Sequence, residues 1–227
     1  MTLLIEQKAK DIEQIIKKNF LTCFALEEHI ADNLPVLGID EAGMGAWAGP
    51  LYVAGIILPR PRKAWLYTIR DSKLLTGLQR ERAARDILQN AVAWTIVAID
   101  SVTVDNIGIY GAQTMGIQKV CSIIEQKYKG ISVLIDGNRL KKAHSVLNDS
   151  YYFIPHGDNL SVTIAAASIL AKVFRDRHMK RLGKKYPIYG FAEHKGYGVD
   201  QHRQALYRFG PCPEHRMSYK PIKYSVS

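Results

Sequence analysis

Asp40 and Glu41 stand side by side at the end of an apolar run, in the stretch GIDEAGMGAWAGP that spans residues 38–50. Two more acids mark apolar segments in a similar way. Asp136 follows ISVLI (131–135), and Asp158 lies in HGDN just ahead of an alanine-rich run. Burying a charge without a partner is costly, so acids at the ends of core strands must be paired or must bind something. Four carboxylates make an oxygen-only donor set that suits Mg2+ or Mn2+ and needs neither His nor Cys. Two such cations about 4 Å apart can activate water and stabilise the leaving oxygen of an in-line phosphoryl displacement. Adjacent strand residues point to opposite faces, so Asp40 and Glu41 can serve one site only if the strand ends or twists there, which Gly43 permits. The residues alone leave two structural alternatives open: Asp40 and Glu41 paired with Arg139 or Lys195, and Asp158 acting as a helix cap or first-turn dipole partner. The chemistry indicated is metal-dependent phosphodiester hydrolysis, with RNA, DNA or hybrid undecided.

The elements that must present these acids follow from pattern. VLGID (36–40) and LYVAGIIL (51–58) predict consecutive strands joined by a loop containing Gly43, Gly45 and Gly49. RERAARDILQN (80–90) predicts a helix, AVAWTIVAI (91–99) a third strand, and residues 105–127 a long helix. ISVLI is a buried strand and YYFIP (151–155) a short one. SVTIAAASILAKVFRDRHMKRL (161–182) predicts a helix whose Ala165, Ala166, Ala167 and Ser168 allow close packing. Strands first, then helices interleaved with strands, argue one mixed α/β domain over 34–223. Residues 1–33 predict an amphipathic helical extension, expected to pack on its own domain rather than on a partner. The Pro-rich, basic residues after Phe209 are expected to form a partly ordered tail.

The whole chain bounds the partners. Its 227 residues carry 31 Lys and Arg against 21 Asp and Glu, a net charge of +10. A basic surface favours polyanions, with nucleic acid ahead of an anionic membrane surface. Cys23, Cys121 and Cys212 are scattered without zinc or CxxC spacing, as in a reduced cytosolic protein. No apolar run approaches a membrane span and the start lacks a secretory pattern, so a cytoplasmic, monomeric protein is expected. Contact with a replication factor is left open.

Several motifs in unbroken order over residues 36–221 resemble bacterial ribonuclease HII, of the type 2 ribonuclease H family. They are GIDEAG…AGP, DSKLL (71–75), LIDGNR (134–139), GDNLSVTIAAASILAKVFRDR (157–177), YGFAEHKGYG (189–198) and GPCPEHRMSY (210–219). The resemblance implies a ribonuclease H-like α/β fold, a mixed sheet flanked by helices. It also implies hydrolysis of RNA in RNA/DNA hybrids and incision 5′ of ribonucleotides embedded in duplex DNA, leaving 3′-hydroxyl and 5′-phosphate ends, with Mn2+ or Mg2+ as cofactor. By motif match the family's acidic quartet falls on Asp40, Glu41, Asp136 and Asp158, the same four carboxylates. Lys73 of DSK, and Ser168 and Lys172 of AASILAK, resemble residues that touch the nucleic-acid backbone. A pure packing role for Ser168 stands beside that reading. Asp176 is expected to be an ion-pair partner on the helix surface. Tyr197 of HKGYG resembles the tyrosine that stacks on the sugar beside the scissile ribonucleotide, where a 2′-hydroxyl distinguishes RNA from DNA. His194, His202 and His215 are expected to face solvent or to bond to backbone.

One position departs from the family pattern. The family usually shows Gly-Arg-Gly after DEA, and here the run is Gly43-Met44-Gly45. Glycine amides can still approach a sugar, but Met cannot supply a guanidinium's charged hydrogen bonds. The related ribonuclease HIII branch also lacks the arginine and cleaves single embedded ribonucleotides poorly. Three readings follow: full ribonuclease HII activity, a hybrid-only ribonuclease H, and a non-catalytic hybrid-binding protein. The presence of all four acids counts against the last.

Overall fold

The computed structural model describes residues 24–31, 34–59, 65–66, 69, 75–137 and 151–223. Lys73, Arg139 and most of the N-terminal extension lie outside the described residues. Strand β1 (Val36–Ala42) and strand β2 (Leu51–Ile57) carry the two apolar runs, followed by β3 (Ala93–Ile99), β4 (Ser132–Asp136) and β5 (Tyr151–Ile154). They form a five-stranded mixed sheet in the order β3-β2-β1-β4-β5. Pairing is parallel between β1 and β4 and between β4 and β5. The helices are α1 (Ala25–Ala31), α2 (Gly77–Asn90), α3 (Ser101–Glu125), α4 (Val162–Lys185), α5 (Phe191–His194), α6 (Asp200–Phe209) and α7 (Lys220–Lys223). No helix among the described residues is long and apolar enough to cross a membrane.

Capping chemistry moves two helix starts ahead of the apolar pattern. Thr76 and Gln79 form a reciprocal capping box, so α2 begins at Gly77 rather than 80. Asp100 accepts the Thr103 amide at 2.6 Å and starts α3 at Ser101 rather than 105. The same bond holds the Asp100 carboxyl below the usual range. Helix α3 is also not one continuous rod, because Gly108 (φ 73°, ψ 161°) interrupts it.

The chain divides into two compact units. The first comprises the described residues of Met1–Asp40, Ala54–Thr95 and Cys121–Leu170. Leu26 and Ile30 of α1 join its core, packed with Val36, Leu134, Ile154, Leu160 and Ile164. Gly38 of β1 lies so close under the start of α4 that a side chain would collide with the Thr163 backbone. The second unit comprises Glu41–Val53, Ile96–Val120 and Ala171–Ser227. Ala48, Met179, Leu182, Tyr189, Phe191 and Ala205 form a core there, lined by Tyr186 and Cys212. The described part of the segment expected as a tail is anchored in this unit by His215, Arg216 and Ile222, while Met217, Ser218, Lys220 and Lys223 are exposed. His215 and Arg216 are wholly buried, because loop carbonyls need donors that this segment supplies.

Candidate active site

In the first unit, register brings two acids together. Ile39 of β1 is paired with Ile135 of β4, and the next residue of each parallel strand is an aspartate. Asp40 and Asp136 therefore occupy equivalent places on neighbouring strands, Asp136 as the last residue of β4 and Asp40 two residues before the end of β1. Asp40 is buried, and Asp136 is partly exposed. The Gly157 amide donates to Asp136 Oδ1 at 2.6 Å, which ties β4 to the one-turn 3-10 helix Gly157–Asn159. Asp158, 2 % exposed, is the central residue of that turn. Three of the four predicted acids thus belong to one sheet end and the turn bonded to it. Glu41, half-buried, is the next residue of β1.

The turn is not relaxed backbone. His156, ahead of it, is left-handed (φ 55°, ψ 39°), a conformation costing about 1–2 kcal/mol for a non-glycine residue. The alternative role of Asp158, as cap of the helix that follows, does not hold. The first-turn amides of α4 go elsewhere, Ile164 N to Ser161 Oγ at 3.2 Å and Thr163 N to Glu27 Oε1 at 3.0 Å. Ser168 is buried in α4 beside Ala165, Ala166 and Ala167. The donor set is oxygen-only and fits a hard divalent cation by type. Among the described residues, no three His, Cys, Asp or Glu side chains stand close enough to hold an ion as they are arranged.

In the second unit, the glycine loop is held by backbone pairing on two sides. Trp47 N donates to Gly196 O, Gly49 N to Glu214 O, and Arg216 N to Trp47 O, each at 2.8 Å. Two fully buried arginines complete the frame. Arg175 donates to the carbonyls of Ala48 (3.1 Å), Pro50 (3.1 Å) and Lys195 (3.0 Å). Arg216 donates to the carbonyls of Gly49 (3.1 and 2.9 Å) and Met44 (3.1 Å) and to the Tyr219 hydroxyl. Burial pulls the Arg175 guanidinium down to about 10, still cationic at neutral pH. Gly43 (φ 107°) packs directly on that guanidinium, where a Cβ would overlap Nε. Gly45 is exposed, and a Cβ there would meet nothing within 4 Å. The Met44 carbonyl also accepts from Tyr219 at 2.7 Å, so its main chain is fixed whatever its side chain does.

Tyr197 is 37 % exposed, with its ring 5.3 Å from the Arg175 guanidinium. Its loop rests on histidines that are not all solvent-facing. His202 and His215 are buried, though backbone-bonded as expected. One set of neutral tautomers satisfies the contacts. Cys212 N–H donates to His215 Nδ1 (2.9 Å), His215 Nε2–H to His202 Nε2 (3.0 Å), and His202 Nδ1–H to the Tyr197 carbonyl (3.0 Å). His194 stacks on His202 with centroids 4.6 Å apart. Burial holds both His202 and His215 down at about 4. Lys172 pairs with Asp176 at 2.6 Å along α4, the helix-surface ion pair expected for Asp176. Lys195 donates to the Ala192 and Glu193 carbonyls.

Pattern alone does not mark Glu27, Arg175 or Arg216 as site residues. For Arg175 a signal exists: Ala171, Arg175, Met179 and Leu182 form a buried stripe at helical spacing, with a cation in an apolar position. Glu27 has the buried Phe24 and Ile30 at helical spacing on either side but is obscured by the neighbouring Glu28 and His29, and Arg216 is obscured by Glu214 and His215.

The ribonuclease HII family model matches residues 37–222. The chain belongs to the ribonuclease HII family. It is 42% identical over 189 residues to ribonuclease HII of Acidothermus cellulolyticus, covering 83% of this chain and 60% of that protein's length. To ribonuclease HII of Xylella fastidiosa it is 43% identical over 188 residues, covering 83% and 78%. Among solved structures, the ribonuclease H2 of Pyrococcus horikoshii superposes with a TM-score of 0.69 at 22% identity, over 85% of this chain and 97% of that one. Bst ribonuclease HIII in complex with Mn2+ gives 0.67 at 20% identity, over 89% and 72%. At those identities the structures show the shared ribonuclease H-like fold. Membership in ribonuclease HII makes the protein a nuclease, an enzyme rather than a passive binder.

Proposed function

We propose that the protein is a divalent-metal-dependent endoribonuclease that hydrolyses RNA in RNA/DNA hybrids and incises 5′ of ribonucleotides embedded in duplex DNA. The products are 3′-hydroxyl and 5′-phosphate ends. The observation that carries this reading is the placement of Asp40 and Asp136 one residue past a paired register, with Asp158 on the turn bonded to Asp136. Asp40, Glu41, Asp136 and Asp158 would hold Mg2+ or Mn2+, which supplies positive charge against the reacting phosphate. Lys73, Lys172 and Ser168 contact the backbone, where Lys gives a point charge and Ser a small donor. Main-chain groups of Gly43, Met44 and Gly45 approach the ribose, and the exposed Tyr197 ring packs on the neighbouring deoxyribose. The test is a cleavage assay on a long hybrid and on a duplex carrying one ribonucleotide, with and without EDTA. Both substrates are cut only with metal, and Asp136→Asn loses nearly all cleavage while keeping most binding. Full activity in excess EDTA refutes the mechanism.

A second reading is favoured by Met44. With its carbonyl turned inward to Arg216 and Tyr219, its side chain offers no charged donor to a phosphate. A hybrid-only ribonuclease H would cut the long hybrid and leave the single ribonucleotide intact. Met44→Arg would then raise the ratio of single-ribonucleotide to long-hybrid cleavage. An unchanged ratio assigns the defect elsewhere.

A further inference from the structure

Glu27 lies ten residues ahead of the segment matched by the family model, yet it is 1 % exposed inside the unit that holds Asp40, Asp136 and Asp158. Helix α1 carries it inward: Leu26 and Ile30, on either side in the sequence, are anchored in the core with Leu134, Leu160 and Ile164. A single oxygen, Glu27 Oε1, accepts three donors: Ser161 Oγ at 2.6 Å, Thr163 Oγ1 at 2.8 Å and Thr163 N at 3.0 Å. These groups form the approach to α4 and its first turn, whose amides have no partner within the helix. An apolar residue there would leave these three buried donors without this acceptor. Desolvation pushes the Glu27 carboxyl above its usual range despite the three bonds. The fold therefore places a costly group where it can act as an acceptor.

The bonds continue toward the acids. Ser161 N and Leu160 N both donate to Gly157 O, at 2.8 and 3.0 Å, closing the turn that carries Asp158. From the same glycine, Gly157 N donates to Asp136 Oδ1 at 2.6 Å. The path runs from Glu27 through Ser161 to Gly157, and from there to the two aspartates. We propose that Glu27, on a helix outside the matched family region, is a positioning residue for the acidic site. It fixes the Gly157–Asn159 turn and so orients Asp136 and Asp158. This rests on the ribonuclease reading for its catalytic consequence, and on the acids' holding a divalent cation for its binding consequence.

The test compares Glu27→Ala, Glu27→Gln and Ser161→Ala in the full chain. Mn2+ binding to the protein alone is measured by electron paramagnetic resonance, alongside kcat and KM on a long hybrid. Partners that orient metal ligands change affinity by about 10- to 100-fold. Glu27→Ala is expected to weaken Mn2+ binding and lower kcat by about tenfold each, with KM within about twofold of wild type. Glu27→Gln keeps an acceptor oxygen and restores both to within about threefold. If Glu27→Ala fails to fold, Ser161→Ala carries the comparison, with a smaller loss in the same two quantities. A folded Glu27→Ala, or failing that a folded Ser161→Ala, with wild-type Mn2+ affinity and kcat overturns the proposal, even if its melting temperature falls. A wild type that binds Mn2+ but cuts no hybrid refutes the ribonuclease reading, and the Mn2+ measurements still decide the positioning role. A wild type that binds no Mn2+ overturns both.

Discussion

Replacing Arg175 by Met removes the cation that joins the glycine loop to the tyrosine loop in the second unit. Arg175 is fully buried and donates to three carbonyls, at 3.0, 3.1 and 3.1 Å. Methionine fills most of the volume and donates nothing. Three carbonyls left without donors, two buried and that of Lys195 part-buried, cost about 3–9 kcal/mol, at about 1–3 kcal/mol each. Removing a desolvated guanidinium returns several of these, leaving a net loss of about 2–5 kcal/mol. Against a typical total stability of about 5–15 kcal/mol, that is a large fraction. Urea unfolding followed by tryptophan fluorescence measures it, since Trp47 sits in the loop that Arg175 holds. Arg175→Lys should be intermediate, because an ammonium lacks the planar fork that serves separate carbonyls. The same change frees the Tyr197 ring from its cationic neighbour, 5.3 Å away. Single-ribonucleotide cleavage should then fall more than long-hybrid cleavage, under conditions where the variant is folded. Arg175→Met within about 0.5 kcal/mol of wild type, with an unchanged denaturant slope, refutes the claim that this guanidinium organises the loops.

Other outcomes follow from the same geometry. His202 and His215 are held down at about 4 by burial, so the unfolded chain, with imidazoles near 6.5, binds more protons between those values. Their contribution to stability is complete above about pH 6.5 and is lost as pH falls toward about 4; wild type should lose urea resistance between pH 6.5 and 5 more steeply than His202→Gln, and parallel profiles would contradict this. Gly43→Ala should cost about 1 kcal/mol or more, since φ is 107° and the methyl meets Arg175. Gly45→Ala should stay within about 0.5 kcal/mol in urea unfolding, which makes it the cleaner probe of ribose approach in an embedded-ribonucleotide assay. Hybrid affinity should fall by about 0.9 log units per log unit of salt for each B-DNA-like phosphate neutralised, as read by fluorescence anisotropy. Lys172→Ala should flatten that slope, and Asp176→Asn should tighten binding by releasing Lys172 from its 2.6 Å pair.

The acids were legible because strand ends announce themselves: an apolar run of alternating β-branched residues stops, and a carboxylate follows. Asp40 and Asp136 are found that way, and register then sets them side by side. The alanine run of α4 was equally plain, since Ala165, Ala166 and Ala167 have no reason to cluster except close packing. Glu27 was not legible. In ALEEHIA it looks like one more charge on an amphipathic helix, and its partners lie 134 and 136 residues away. Arg175, within Arg175-Asp176-Arg177, resembles a solvated run, and its partners are carbonyls, which every residue possesses. The histidines were half legible. Bonding to backbone is common for imidazole, but burial depends on Phe191 and Tyr189 stacking nearby, which spacing does not reveal.

The fastening of the glycine loop has a consequence for biosynthesis. Arg216 reaches back 167 positions to Gly49 and 172 to Met44. A polypeptide is made from its N-terminus, so the loop emerges long before its clasp has been translated. Closing so distant a contact is also slow compared with forming local helices. A nascent chain can therefore carry all four acids while its glycine loop is still unlatched. A message with a stop codon just ahead of position 216 would yield a product with every acid of the site and no clasp for the loop.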